Sequence, residues 1–165
     1  LDRVAGKLNA PAPEVETRLE ALLNENRALN RDLENARRRL ARADFDALLG
    51  RAQAVDGASV LAAQVEVSGA DALREMADWF RDRVGSGAAV LATVSDGKPV
   101  IVATVTKDLI ERGVKAGDLA REVAKAVGGS GGGRPDMAQA GGRDPEKLPE
   151  ALAAVPGLVA AALHK

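Results

Sequence analysis

Residues 128–142 read GGSGGGRPDMAQAGG, with glycine at 128, 129, 131, 132, 133, 141 and 142. Glycine lacks a Cβ and accepts φ > 0, so its backbone approaches other groups closely, but each glycine costs conformational entropy on folding. A cluster this dense repays that cost only where a shape requires bare backbone. A flexible linker is the default for a Gly/Ser run taken alone; the specific residues that follow, Arg134, Pro135 and Asp136, favour an ordered loop. A Walker loop fails here: it needs Lys and then Ser or Thr after its last glycine and a helix behind it, whereas Arg134 and Pro135 follow this run. The dinucleotide fingerprint fails as well, because Gly129-x-Gly131 is followed three residues on by Arg134. Arg134 offers a planar fork of donors to a phosphate, and the N–H groups of Gly131, Gly132 and Gly133 can add an anion-binding concavity. The plainer alternative is that Arg134 pairs with Asp136 and only fixes the loop.

Outward from this stretch the pattern is mixed. Ala116 to Val127 reads as a helix with Leu119, Val123 and Val127 inward, stopped by Gly128. Ala88–Val94 and Pro99–Val105 flank Asp96-Gly97, a dipeptide suited to a two-residue hairpin turn. Val60–Val67 reads as a strand, and a helix follows with Ser68 as N-cap, Asp71 in a capping box, and Leu73, Met76, Ala77, Phe80 and Val84 buried. Behind the glycine stretch, Asp144 and Pro145 open a helix bearing Leu148, Ala151, Leu152 and Val155, with a break at Pro156-Gly157. The sum is an α/β domain with a mixed sheet over residues 55–165, preceded by a helical arm over residues 1–54.

In the arm, Leu1, Val4, Ala5 and Leu8 suggest a short amphipathic helix before a break at 9–13. Val15, Leu19, Leu22, Asn26, Leu29, Leu33, Ala36, Leu40, Ala43 and Ala47 then alternate steps of four and three, a heptad seam. Leu19, Leu22, Asn26, Leu29 and Leu33 are the candidate self-association residues, Asn26 setting register. Pairing of Asp32 with a partner's Arg37 and of Arg39 with a partner's Asp44 favours a parallel dimer, while a fold-back hairpin remains the alternative. Phe45, Leu48, Leu49 and Ala52 leave the seam, as expected if this helix end docks on the globular part. Arg37, Arg38 and Arg39 read as a solvated face, with contact to a nucleic-acid phosphate as the alternative.

Composition narrows the function. With 23 basic and 24 acidic residues there is no strongly basic footprint, so nucleic-acid contact must use a local patch and be salt-sensitive. Lys107, Arg112, Lys115, Arg121 and Lys125 are the candidate phosphate contacts beside Arg134, although any one of them is more often a solvated helix residue. There is no cysteine and one histidine, His164, so neither a disulfide framework, a zinc site nor a Ser/His/Asp device is expected, and no cofactor. Absent cysteine fits a reducing cytosol, and no apolar run is long enough for a membrane span. The chain begins at Leu1 without methionine and reads as a fragment of something longer. Trp79 sits beside the buried stripe; it is either edge-of-core packing or a stacking platform for a base.

The glycine cluster followed by Arg134-Pro135-Asp136-Met137-Ala138-Gln139 resembles the signature of the C-terminal domain of alanyl-tRNA synthetase, related to the domain beside the DHH motif in certain phosphoesterases. The resemblance implies a module that binds the outer corner, or elbow, of tRNA(Ala), works beside upstream aminoacylation and editing domains of the same protein in the cytoplasm, and self-associates through its helical part. Carried over by position, the signature adds Asp136 and Gln139 to the RNA-binding candidates. Ser130 departs from all-glycine versions of the run. The aminoacylation motifs and the editing-site ligands of the family are absent, so the fragment is expected to be no enzyme itself. A DNA-binding role is the remaining variant.

Overall fold

The computed structural model describes residues 11–164, and the short helix expected over Leu1, Val4, Ala5 and Leu8 lies outside the described residues. The chain divides into two compact units, Leu1–Ala43 and Asp44–Lys165. In the first, a 3-10 turn, Ala12–Glu14, leads into α1, Val15–Leu49. Its Ala, Leu, Glu and Arg content is that of a strong helix former. Leu19, Leu29, Leu33 and Leu40 are 46%, 60%, 48% and 66% exposed along the seam. Val15, Leu22 and Ala36 are half-buried, and Asn30 Nδ2 donates to Asn26 Oδ1 at 2.8 Å. The division falls ahead of the expected residue 54 because the last turns of α1 belong to the globular unit. Phe45 is 1% exposed, and Leu48, Leu49 and Ala52 pack with it.

The second unit is built on a six-stranded mixed sheet: β1 Gln53–Val55, β2 Ala58–Gln64, β3 Gly87–Ser95, β4 Lys98–Val105, β5 Ser130–Gly133 and β6 Met137–Gly141, in the order β1-β2-β3-β4-β6-β5. Only β2 and β3 are parallel, and the crossover between them carries α2, Gly69–Arg83. The remaining helices are α3 Lys107–Glu111, α4 Ala116–Ala126, α5 Leu148–Ala153 and α6 Val155–Leu163. This is the α/β class expected from the sequence. One sheet face packs Leu61, Ala89, Leu91 and Val102 against Leu73, Met76, Phe80 and Phe45. The other packs Val60, Val90, Ile101 and Ala103 against α3 to α6 through Leu109, Leu119, Val123, Leu148 and Val159. Covered on both faces, β3 is buried from Gly87 to Thr93, which is why it reads as a continuous apolar run. Both phenylalanines are in this core, at 1% and 0% exposure, and Ala and Val supply most of the rest.

Asp96 and Gly97 have φ of 51° and 73°, so the β3–β4 turn is the left-handed hairpin turn their identities require. Four local expectations change. Ser68 caps α2 without a side-chain hydrogen bond, and Asp71 pairs with Arg74 at 2.8 Å instead of closing a capping box. The strand expected to reach Val67 ends at Gln64. The helical break expected at Pro156-Gly157 falls at Ala154, between α5 and α6, and Pro156 occupies the first turn of α6, where its missing N–H is tolerated. The glycine stretch, read as a loop, is a β-hairpin.

That hairpin explains the glycines. Ser130, Gly131, Gly132 and Gly133 pair with Gly141, Ala140, Gln139 and Ala138. β5 lies so close to its neighbour that a Cβ on Gly129 would stand 1.8 Å from the Gly141 carbonyl oxygen. On Gly131 it would stand 2.2 Å from Ala140 Cβ, and on Gly133 2.7 Å from Ala138 Cα. At the intervening Gly132 the nearest atom is Arg121 Nη2, at 3.8 Å. Glycine at alternate positions is thus set by contact with β6.

Among the described residues no helix is long and apolar enough to cross a membrane.

Candidate nucleic-acid interface

The β5–β6 turn, residues 134–136, carries Arg134 at an end of the sheet. Arg134 Nε and Nη2 donate to the two carboxylate oxygens of Asp136 at 3.1 and 3.2 Å, yet the Arg134 side chain is 76% exposed. The fork therefore fixes the turn, as the plainer reading holds, and still leaves N–H groups of the guanidinium facing solvent. Partial burial pushes the Asp136 carboxyl up, but the Arg134 hydrogen bond, a backbone N–H and the charges of Arg134 and Arg81 outweigh it and hold it below the usual carboxylate range. The Asp136 carbonyl accepts from Val105 N at 3.0 Å and from Thr104 Oγ1 at 3.1 Å, which locks the turn to β4.

Helix α4 runs beside this hairpin. Ala116 N donates to the Pro135 carbonyl at 2.9 Å, which brings exposed Lys115 next to the turn. Gly117 lets the helix close on β5, since a Cβ there would meet the Gly133 carbonyl oxygen at 3.0 Å. Arg121 pairs with Asp118 at 3.0 Å and Lys125 with Glu122 at 2.7 Å. Lys107 is exposed at the start of α3, two residues beyond the Val105 that bonds Asp136. Lys107, Lys115 and Arg134 thus stand at the same end of the sheet, and Arg121 Nη2 lies 3.8 Å from where a Cβ on Gly132 would stand. Arg112 does not join them: its Nη2 donates to the Asp56 carbonyl at 3.4 Å, at the β1–β2 turn, with β3 and β4 between it and the glycine hairpin. His164 Nε2 lies 3.1 Å from Asp56 Oδ2 at that same turn.

Gln139 points to the α2 side of the sheet, where its Oε1 accepts from Arg74. Arg81 stands two turns further along α2 and lies 3.6 Å from Asp136. Sequence reading missed this pair of arginines. The signal was present, since Arg74 and Arg81 directly follow the buried Leu73 and Phe80, but nothing in the pattern names partners on a distant strand. Trp79 is half-buried and meets Phe45 edge to face, ring centroids 5.8 Å apart.

The model of the DHHA1 domain matches residues 57–161, nearly the whole globular unit. The chain belongs to the DHHA1 domain family. Within it, the chain is a C-terminal domain of the alanyl-tRNA synthetase kind. It is 32% identical to the C-Ala domain of Aquifex aeolicus alanyl-tRNA synthetase, covering 66% of this chain and 97% of that one with a TM-score of 0.60. It is 49% identical to the alanine–tRNA ligase of Roseiflexus sp. (strain RS-1) over 98% of its own length, but spans only 18% of that ligase. A DHH-domain member of the s1p family of ribosomal proteins shares the fold, at 14% identity and a TM-score of 0.52 over 85% of this chain. In this DHHA1 domain the signature segment Arg134–Gln139 forms the β5–β6 turn and most of β6.

Proposed function

We propose that this domain is the tRNA-binding module of an alanine–tRNA ligase. It holds the elbow of tRNA(Ala) so that upstream aminoacylation and editing domains of the same cytoplasmic protein act on one tRNA, and it carries no chemistry of its own. The observation that supports this most is the exposed, preorganised guanidinium of Arg134 on a rigid hairpin turn in a domain whose relatives are alanine–tRNA ligases. Asp136 orients the fork, and Lys107, Lys115 and Arg121 add positive charge around it. Such a surface grips phosphates by shape and charge and reads little sequence. The test is Arg134→Ala with intact tRNA as ligand. Affinity is expected to fall and the slope of log K against log salt to flatten by about one, with oligomeric state unchanged. Untouched tRNA affinity would remove Arg134 from the interface.

A second reading concerns the first unit. The exposed leucines Leu19, Leu29 and Leu33, with Leu22 and Asn26 in the same heptad seam, favour self-association through α1. The two readings are compatible.

A further inference from the structure

The tRNA-binding reading draws on one end of the glycine hairpin. At the other end lies an open concavity of about 800 Å³, walled by the glycine backbone at 128, 129, 141 and 142 and by the β3–β4 turn. We propose that this concavity, between Lys98 and Arg143, is a second phosphate site that takes a phosphodiester of the bound RNA. The proposal rests on the RNA-binding reading and adds a site to it.

Strand register assembles the site. Ser95 pairs with Lys98 across the hairpin turn, Val100 pairs with Gly141, and Gly141 pairs with Ser130. Since side chains alternate along a strand and paired residues share a face, Ser95, Lys98 and Ser130 rise on the side of the sheet that carries α2. Gly142 N donates to the Pro99 carbonyl at 3.1 Å and Arg143 N to the Val127 carbonyl at 2.8 Å, and Arg143 lines the same concavity. Two cations and two hydroxyls therefore line one concavity together with the bare glycine backbone.

Charge separates this site from its surroundings. Arg74, Arg81, Arg121, Lys125 and Arg134 are each tied to a carboxylate. Lys98 and Arg143, like Lys107 and Lys115 at the other end of the hairpin, make no side-chain ion pair or hydrogen bond among the described residues, so an incoming phosphate displaces no partner from them. Asp96 is the one acidic residue on the lining, against two cations; Asp144, whose Oδ2 lies 3.0 Å from where a Cβ on Gly128 would stand, is offset by Lys147 at 3.0 Å. The lining has no aromatic ring to stack a base, and Val100 and Pro99 are its only sizeable apolar residues. It suits the sugar-phosphate backbone and not a nucleobase. Arg134 lies four residue steps beyond Ser130, about 13 Å at strand rise, so one short run of nucleotides can reach both ends of the hairpin.

The test compares the 165-residue chain with a Lys98→Ala/Arg143→Ala double variant and with Asp96→Asn, which keeps a residue suited to the turn. Anisotropy titrations of intact tRNA across a salt series are paired with NMR titrations of inorganic phosphate that follow the amides of Gly129, Ser130 and Arg143. The double variant is expected to lose about five- to twentyfold in affinity at low salt and one to two in salt slope, with an unchanged Tm because neither side chain holds the fold. Asp96→Asn is expected to bind about two- to threefold more tightly. If the unaltered chain binds tRNA and the double variant matches it in affinity and slope, the site is overturned while the RNA-binding reading stands. Phosphate-induced amide shifts with an unchanged tRNA slope would assign the site to free phosphate and also overturn the proposal. No binding by the unaltered chain would overturn the RNA-binding reading itself.

Discussion

Replacing Gly131 with alanine, beside a Gly132→Ala control, tests the packing account of the glycine hairpin. The added Cβ at 131 would lie 2.2 Å from Ala140 Cβ, 2.4 Å from Ala140 Cα and 2.8 Å from the Gln139 carbonyl oxygen. Carbon atoms rest at about 3.5–4.0 Å, so the overlap exceeds an ångström, and two of the three obstacles are backbone that no rotamer change can clear. β5 must move away from β6 and give up its pairing. Such overpacking costs about 1–3 kcal/mol or somewhat more. The total is limited by the ease with which a four-residue edge strand detaches as a unit. At Gly132 the new methyl meets only Arg121 Nη2 at 3.8 Å, and φ there is not left-handed. That variant is expected to be neutral or to gain about 0.4–1 kcal/mol from a stiffer unfolded chain. The neighbours should therefore differ by about 1–4 kcal/mol, which separates their melting temperatures by roughly 3–15 °C. Circular-dichroism melts and urea titrations read this directly, and hydrogen exchange shows whether the loss is confined to β5 and β6. Equal Tm values for the two variants would refute the claim that β6 dictates alternate glycines.

Other expectations follow from single contacts. Phe45→Ala empties a fully buried position and should cost about 3–5 kcal/mol in urea unfolding; a cost under about 1 kcal/mol would mean that the end of α1 is not part of the core. Hydrogen bonds from Ser86 and then Thr106 hold the Asp108 carboxyl below the usual carboxylate range. A carboxylate depressed in the folded state adds stability that is present above its ordinary pKa of about 3.9 and lost as pH falls through the folded value. Asp108→Asn should therefore flatten the acid side of a Tm-against-pH profile, whereas a profile parallel to that of the unaltered chain would deny the linkage. Leu22→Glu with Leu29→Glu should abolish self-association in sedimentation velocity while the globular unit melts as before; an unchanged sedimentation coefficient would rule out the seam.

Much of the fold was legible because local chemistry and final structure agree. Asp96-Gly97 needs left-handed φ and has it; Gly128 ends α4 with φ of 66°; the stripe Leu73, Met76, Ala77, Phe80 is the buried face of α2. The strand at Ser130–Gly133 was not legible, because glycine has no intrinsic strand preference and this strand exists through its contact with β6. β1 is three residues long and α3 five, too short to show a period. In the candidate site, Arg134 and Asp136 were readable as neighbours two apart. Arg74 and Gln139 stand 65 residues apart in sequence, and only the sheet order brings them together. The same order separates Arg112 from Arg134, which a count of basic residues along the chain had grouped.

The central claim is that this domain holds the corner of an L-shaped tRNA. The most direct measurement is a salt titration of the chain against intact tRNA and against a minihelix that lacks the elbow. Binding of intact tRNA alone, weakening as salt rises, is the expected result. Equal affinity for both RNAs, or for neither, would contradict the claim and leave self-association through α1 as the role that remains.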